Sequence, residues 1–75
     1  MQKYENRGGD SSVLQYQIGP NFILVGFNSG SVYEYTYLSA GTRNIEAMKS
    51  LALLGQGLCS FIQRNVRRNY SRKIR

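Results

Sequence analysis

The sequence predicts an α+β domain in which a three-stranded antiparallel β-meander is followed by two helices, or one kinked helix, packed on one sheet face. Two observations predict this fold. Between residues 11 and 37, tyrosines and aliphatic residues recur at every second position, which is typical of strands with one buried face. From Ser39 onward, apolar residues recur every three or four positions, which is typical of amphipathic helices.

Turn residues divide the first of these regions into three strands. The strands are predicted over residues 11–18, 22–27 and 31–37. Gly19-Pro20-Asn21 forms the first turn because of the backbone angles that these residues prefer, and Asn28-Ser29-Gly30 reverses the chain again. Short strands joined by tight turns pair in an antiparallel meander.

The alternation assigns each strand residue to one of two sheet faces. The face that we expect the helices to cover carries Leu14, Tyr16, Ile23, Val25, Phe27, Tyr33 and Tyr35. The opposite face presents Phe22, Leu24 and Val32, an apolar trio that two helices on the other side would leave exposed. Scattered surface apolar residues are common, so a protein or self-association interface here is one of two open interpretations.

Two helical segments are predicted between Thr42 and Asn69, with Gly55 ending or kinking the first of them. Ser39 or Thr42 can serve as the N-cap of the first segment. Its apolar positions are Ile45, Met48, Leu51 and Ala52. In the second segment, Leu58, Phe61, Ile62 and Val66 fall on one side when counted at about 100° per residue. The same count places Arg64, Arg67 and Arg68 on the opposite side.

Length and composition limit the class of protein. A chain of 75 residues makes one small domain, which we divide into a disordered N-terminal arm (1–10), a folded domain (11–70) and a basic tail (71–75). With one cysteine and no histidine, we expect no disulfide and no metal site. No apolar run is long enough for a membrane span or a signal peptide, so we expect a cytoplasmic protein.

The positive charge is concentrated in the second half of the chain. Residues 42–75 hold eight Lys or Arg and one acid, Glu46, so this half carries a formal charge of +7. Residues 1–41 carry −1, which gives the chain its net charge of +6. Such asymmetry favours association with polyanions. The candidate RNA-binding residues are Arg64, Arg67, Arg68, Tyr70, Arg72 and Lys73. A basic tail that is merely solvated, or that complements a helix dipole, is the alternative interpretation.

Catalysis is not predicted. Histidine is absent, and the carboxylates Glu5, Asp10, Glu34 and Glu46 lie on separate elements without paired spacing. We expect no cofactor, and we expect Cys59 to be a small apolar filler rather than a nucleophile. Asn65 falls within the apolar arc of the last helix, where a buried amide would act as a structural tether.

Five elements in order resemble the KTSC domain. They are Tyr16, Ile23-x-Val25-x-Phe27 with Gly30, Tyr33-x-Tyr35, Phe61-Ile62, and Val66-Arg67 with Tyr70. This family is named for its place at the C-terminus of some lysyl-tRNA synthetases and also occurs as free-standing small proteins. It has no established activity, and RNA binding has been suggested for it. The resemblance therefore implies single-stranded RNA or tRNA as a partner, and Tyr33 and Tyr35 as family motif residues.

Overall fold

One antiparallel sheet of five strands forms the scaffold, and its spatial order follows the chain order. The strands are β1 (Gln2–Lys3), β2 (Val13–Ile18), β3 (Phe22–Phe27), β4 (Val32–Thr36) and β5 (Arg72–Lys73). The helices are α1 (Tyr37–Ala40), α2 (Thr42–Leu54) and α3 (Leu58–Phe61), which continues into a π-helical segment, Ile62–Val66. This computed structural model describes residues 1–9 and 11–75, so Asp10 lies outside the described residues. The α+β prediction is confirmed, but the sheet has two more strands than the predicted meander.

The two additional strands come from the segments that the sequence predicts to be a disordered arm and a loose tail. Gln2 of β1 pairs with Tyr16, and Arg72 of β5 pairs with Glu34. Both strands lie at the sheet edges, where unpaired backbone groups accept a partner strand whatever its side chains are. The amino-acid composition of these segments therefore does not predict the two strands, because pairing through the backbone requires no periodic apolar side chains.

The hydrophobic core lies on one face of the sheet, which we call the inner face. Helix α2 contributes Ile45, Met48 and Ala52 to it, as its spacing predicts. The inner face contributes Val13, Tyr16, Ile23, Val25 and Tyr35, and Tyr4, which follows β1, belongs to the same core. Within residues 1–9 and 11–75, no helix has the length and hydrophobicity needed to span a lipid bilayer.

An irregularity in β2 changes which of its residues face the core. The register with β3 shifts between Val13 and Gln15, so one extra residue, Leu14, is accommodated as a β-bulge. Val13 and Tyr16 are both buried as a result, whereas Leu14 is 52% exposed. The prediction that Leu14 shares a face with Tyr16 is therefore wrong, because a bulge reverses the alternation locally.

The third predicted strand ends one residue early, at Thr36. Thr36 Oγ1 accepts a hydrogen bond from Ser39 N, and Ser39 Oγ accepts one from Thr36 N, both at 3.0 Å. This reciprocal capping box starts helix α1 at Tyr37. Tyr37 consequently leaves the strand, and neither Ser39 nor Thr42 is the N-cap that the sequence predicts.

Two glycines make the bend between α2 and α3. Gly55 ends α2 with φ +78°, and Gly57 precedes α3 with φ +86°, a region that favours glycine. The N-terminal segment locks this bend in place. Arg7 N donates to Gly55 O at 2.7 Å, and the buried Tyr4 hydroxyl accepts a hydrogen bond from Leu58 N at 3.2 Å.

Substitution of Gly55 tests whether the N-terminal segment is docked against the bend. A Cβ at Gly55 would lie 2.7 Å from Glu5 Cβ, whereas a Cβ at Gly30, which also has positive φ, has no atom within 4 Å. Gly30→Ala should therefore cost only the backbone strain, about 1 kcal/mol. Gly55→Ala should lower the free energy of unfolding by about 1–3 kcal/mol more, because Glu5 must move. Urea denaturation measures both values, and equal losses would contradict the docking.

Candidate functional site

A groove of about 320 Å³ opens on the inner face between the end of the sheet and the last helical segment. Its lining includes Phe27, Tyr33, Tyr35, Gln63, Arg67 and Tyr70. We call this surface the aromatic groove. Phe27 and Tyr33 are only half-buried, because α2 covers the middle of the sheet and does not extend over them.

Several elements supply the groove, and Phe27 comes from the end of β3. The alternation in β4 directs Tyr33 and Tyr35 to the inner face, where they pair with Val25 and Ile23 of β3. Gln63 and Arg67 are four residues apart, so the helical segment presents both on one side. Tyr70 follows in the turn that leads from this segment to β5.

The aromatic rings of the groove contact one another. The Tyr33 and Tyr70 ring centroids are 4.7 Å apart with an interplanar angle of 52°. Tyr70 also meets Tyr35 edge to face at 6.4 Å, and Phe27 meets Tyr33 at 5.9 Å and 74°. Each such pair contributes about 0.5–1.5 kcal/mol beyond burial of its area. Tyr70 is therefore held in position although 41% of its surface is exposed.

Hydrogen bonds to Glu34 hold the backbone that follows Tyr70. Ser71 N donates to Glu34 O at 2.7 Å, and Ser71 Oγ donates to Glu34 Oε1 at 2.6 Å. Arg72 Nε forms an ion pair with the same carboxylate oxygen at 3.2 Å. Three further backbone bonds join Val32 to Ile74 and Arg75. The tail thus completes the sheet edge and fixes Tyr70 at the groove.

The structure separates the predicted RNA-binding residues into two groups. Arg67 and Tyr70 line the groove, and Lys73 Nζ lies 6.0 Å from the Tyr33 ring centroid, within the range of a cation–π contact. Arg72 points to the other sheet face and pairs with Glu34, since successive strand residues face opposite ways. Arg64 and Arg68 are exposed and lie outside the groove lining.

No carboxylate lines the groove among the residues that the structure describes. Glu34 lies on the opposite face, and Glu5 pairs with Arg7 at 3.2 Å. Glu46 accepts a hydrogen bond from the Tyr37 hydroxyl at 2.6 Å and pairs with Lys49 at 2.9 Å. The groove therefore combines aromatic rings with positive charge and has no acid to repel an anion.

Burial sets the protonation of the groove tyrosine Tyr35. Desolvation, reinforced by Tyr33, Tyr70 and Cys59, raises the pKa of Tyr35 from 10.0 to about 12. Its hydroxyl consequently stays protonated at neutral pH and remains able to donate a hydrogen bond. Only 2% of the Tyr35 surface is exposed, so most of the ring packs in the hydrophobic core.

Cys59 lines a second, polar cavity of about 240 Å³, and its neighbour Gln63 lines both this cavity and the aromatic groove. Its Sγ is 3.3 Å from Ser12 Oγ and accepts a hydrogen bond from Gln63 Nε2 at 3.7 Å. Burial raises the pKa of the thiol, but the hydrogen bonds from Ser12, Ser11 and Gln63 outweigh burial and leave it below its ordinary value. Cys59 is thus a half-buried, hydrogen-bonded thiol and not the purely apolar filler that the sequence predicts.

The sheet face opposite the core carries the predicted apolar trio of Phe22, Leu24 and Val32, and one of the three, Val32, is not exposed as predicted. Phe22 and Leu24 are half-buried and lie on the face opposite the one against which α2 packs. Val32 is only 4% exposed, because the C-terminal segment pairs alongside it. Exposed apolar surface at this edge comes instead from Ile74, which is 44% exposed.

The π-helical segment explains two further differences from the sequence prediction. Asn65 is exposed and donates to Phe61 O at 3.1 Å, so it is not the buried tether. Arg67 lies at the groove and not opposite the buried side. A π-helical turn holds more residues than an α-helical turn, so a count at about 100° per residue misplaces the side chains that follow it.

Phe27 and Gln63 were not among the predicted site residues. The sequence predicts Phe27 only as a residue of the buried face, and it predicts no binding role for Gln63. One signal could have found Gln63: it precedes Arg67 by four residues, a spacing that places two side chains on one side of a helix. No comparable signal marks Phe27, because its exposure depends on where α2 ends.

An alkaline titration tests the environment of Tyr35. Because its pKa in the folded protein is raised, Tyr35 supports folding fully below pH 10 and loses that contribution as the pH rises to about 12. Ultraviolet absorbance of tyrosinate should show a group titrating near pH 12, which Tyr35→Phe removes. Tyr37→Phe is the control, since a hydrogen bond to Glu46 also raises the pKa of Tyr37. Loss of the late step in Tyr37→Phe alone would contradict the assignment.

Comparison with known proteins identifies no relative of this chain. No family model matches the chain, and neither the curated proteins nor the solved structures include a significant match. The resemblance to the KTSC domain therefore stays a prediction that rests on the residues quoted for it. What the site can bind has to be argued from its own chemistry.

Proposed function

We propose that this chain is a small non-catalytic module that binds single-stranded RNA at the aromatic groove and the basic C-terminal segment. One observation carries the proposal: a groove lined by four aromatic rings and Arg67, with Lys73 beside it, contains no carboxylate among the described residues. Proteins hold single strands by combining a positive groove for the phosphates with aromatic rings for the bases.

Phosphate contacts would come from the exposed basic residues around the groove. Arg67 lies at the groove, and Arg64 and Arg68 are exposed on the same helical stretch. Lys73 and Arg75 extend the positive charge along the sheet edge. Each phosphate contact releases counterions, so affinity should fall steeply as salt increases. Arg72 contributes less, because Glu34 already neutralises it.

A non-catalytic role agrees with the available side chains. The chain has no histidine, and Glu5, Glu34 and Glu46 are each paired with a different partner. Among the described residues, no three metal-ligating side chains lie together. The resemblance to the KTSC domain favours RNA as well, because that domain occurs at the C-terminus of some lysyl-tRNA synthetases, which are enzymes that bind tRNA.

A protein-interaction module is the second candidate function. Phe22 and Leu24 lie on a sheet face that no helix of the described chain covers, and this open face favours the alternative. Leu24→Asp should abolish binding of such a partner and leave RNA affinity unchanged. The same variant therefore separates the two functions.

The RNA proposal is tested by fluorescence anisotropy with a labelled single-stranded RNA, a matched DNA and a tRNA at two salt concentrations. The double variant Arg67→Ala/Arg68→Ala should lower RNA affinity about tenfold and reduce the salt slope by about 1–2, since two phosphate contacts are lost. Arg7→Ala/Arg43→Ala removes the same charge away from the groove and is the matched control.

The control variant should lose no more than about threefold, because long-range electrostatics beyond a Debye length are screened. Equal losses in the two double variants would show that only net charge matters, and the proposed site would be wrong. Absence of binding at low salt would reject RNA binding altogether. A preference for tRNA over the single strand would change the form of RNA that the module recognises.

A further inference from the structure

We propose that the aromatic groove holds one unpaired base of the bound RNA, with Tyr70 as the stacking platform. This inference rests on the proposed function and adds the part of the nucleotide that the groove recognises. A volume of about 320 Å³ lies at the lower end of the range for small-molecule sites, about 300–1,000 Å³. The groove is thus suited to a single planar ring system and not to a folded RNA element.

Tyr70 is prepared for stacking before any ligand arrives. Its ring contacts both Tyr33 and Tyr35, and the next residue, Ser71, is bonded to Glu34 through backbone and side chain. At the same time, 41% of the Tyr70 surface is open to solvent. An aromatic side chain held in one orientation has little conformational entropy left to lose on binding.

Polar groups lie where the edge of a stacked base would need partners. Gln63 donates only a long hydrogen bond, 3.7 Å to Cys59 Sγ, so its amide oxygen and second N–H remain available in the described structure. Tyr35 also lines the groove, although only 2% of its surface is exposed. Unpaired bases are read by such hydrogen bonds to their exposed edges.

Charge complementarity selects a nucleotide over other flat ligands. Arg67 borders the groove on the helical side, and Lys73 lies over Tyr33 on the strand side. A proline-rich peptide would use the rings but would have no anion for these cations. A base joined to phosphates satisfies both the rings and the flanking charges.

Two RNA strands of equal length and charge test the inference: oligoadenylate and the abasic ribose-phosphate strand. The wild-type protein should bind oligoadenylate about tenfold more tightly, as expected for one stacked base. Tyr70→Leu should reduce this preference to less than about threefold, because the ring is lost while the bulk remains. Tyr37→Leu, the same change at a tyrosine outside the groove, should keep the preference.

Arg68→Ala should weaken both strands by the same factor, since it removes a phosphate contact. Nuclear magnetic resonance of the wild-type protein is the second measurement, in case Tyr70→Leu disturbs the tail. The ring signals of Tyr33 and Tyr70 should shift with oligoadenylate and not with the abasic strand.

Equal affinity of the wild type for both strands would overturn the base site and leave RNA binding through phosphates intact. Failure of both strands to bind at low salt would overturn the proposed function and the base site together. A preference for oligoadenylate that survives in Tyr70→Leu, without shifts at the groove rings, would place the base elsewhere and reject the groove.

Discussion

The packing of helix α2 on one face of the sheet is the constraint from which the rest of this structure follows. A chain of 75 residues provides enough helix to cover one side of a sheet, and small domains bury only about 60% of the surface of the unfolded chain. Helix α2 packs on the centre of the inner face, where Ile23 and Val25 have no exposed surface. The strip at the start of β4, where Tyr33 lies, is left partly open, and the aromatic groove lies there.

The two chain ends compensate for the small size of the domain. The N-terminal segment adds an edge strand and brings the Tyr4 hydroxyl to Leu58 N, which would otherwise lack a helical partner at the start of α3. The C-terminal segment adds the other edge strand and brings Tyr70 to Tyr33 and Tyr35. Each end thus pairs its backbone with the sheet and places one tyrosine against the core.

The same strand pairing divides the positive charge between the two faces. Once residues 72–73 are a strand, Arg72 and Lys73 must point in opposite directions. Arg72 meets Glu34, and Lys73 meets Tyr33. Because Glu34, the carboxylate that pairs with the tail, lies behind the sheet, the groove side keeps its positive charge. The electrostatic character of the site is therefore a consequence of strand register.

The sequence by itself determined the α+β class, the strands β3 and β4 to within a residue or two, the glycine that ends α2, and the concentration of charge in the second half. These features depend on local spacing and on glycine backbone angles, which neighbouring residues dictate. Only the tertiary structure decided the bulge at Leu14, both edge strands and the π-helical turn that brings Arg67 to Tyr70. Those features arise from backbone pairing and packing between distant segments, and local periodicity carries no record of such contacts.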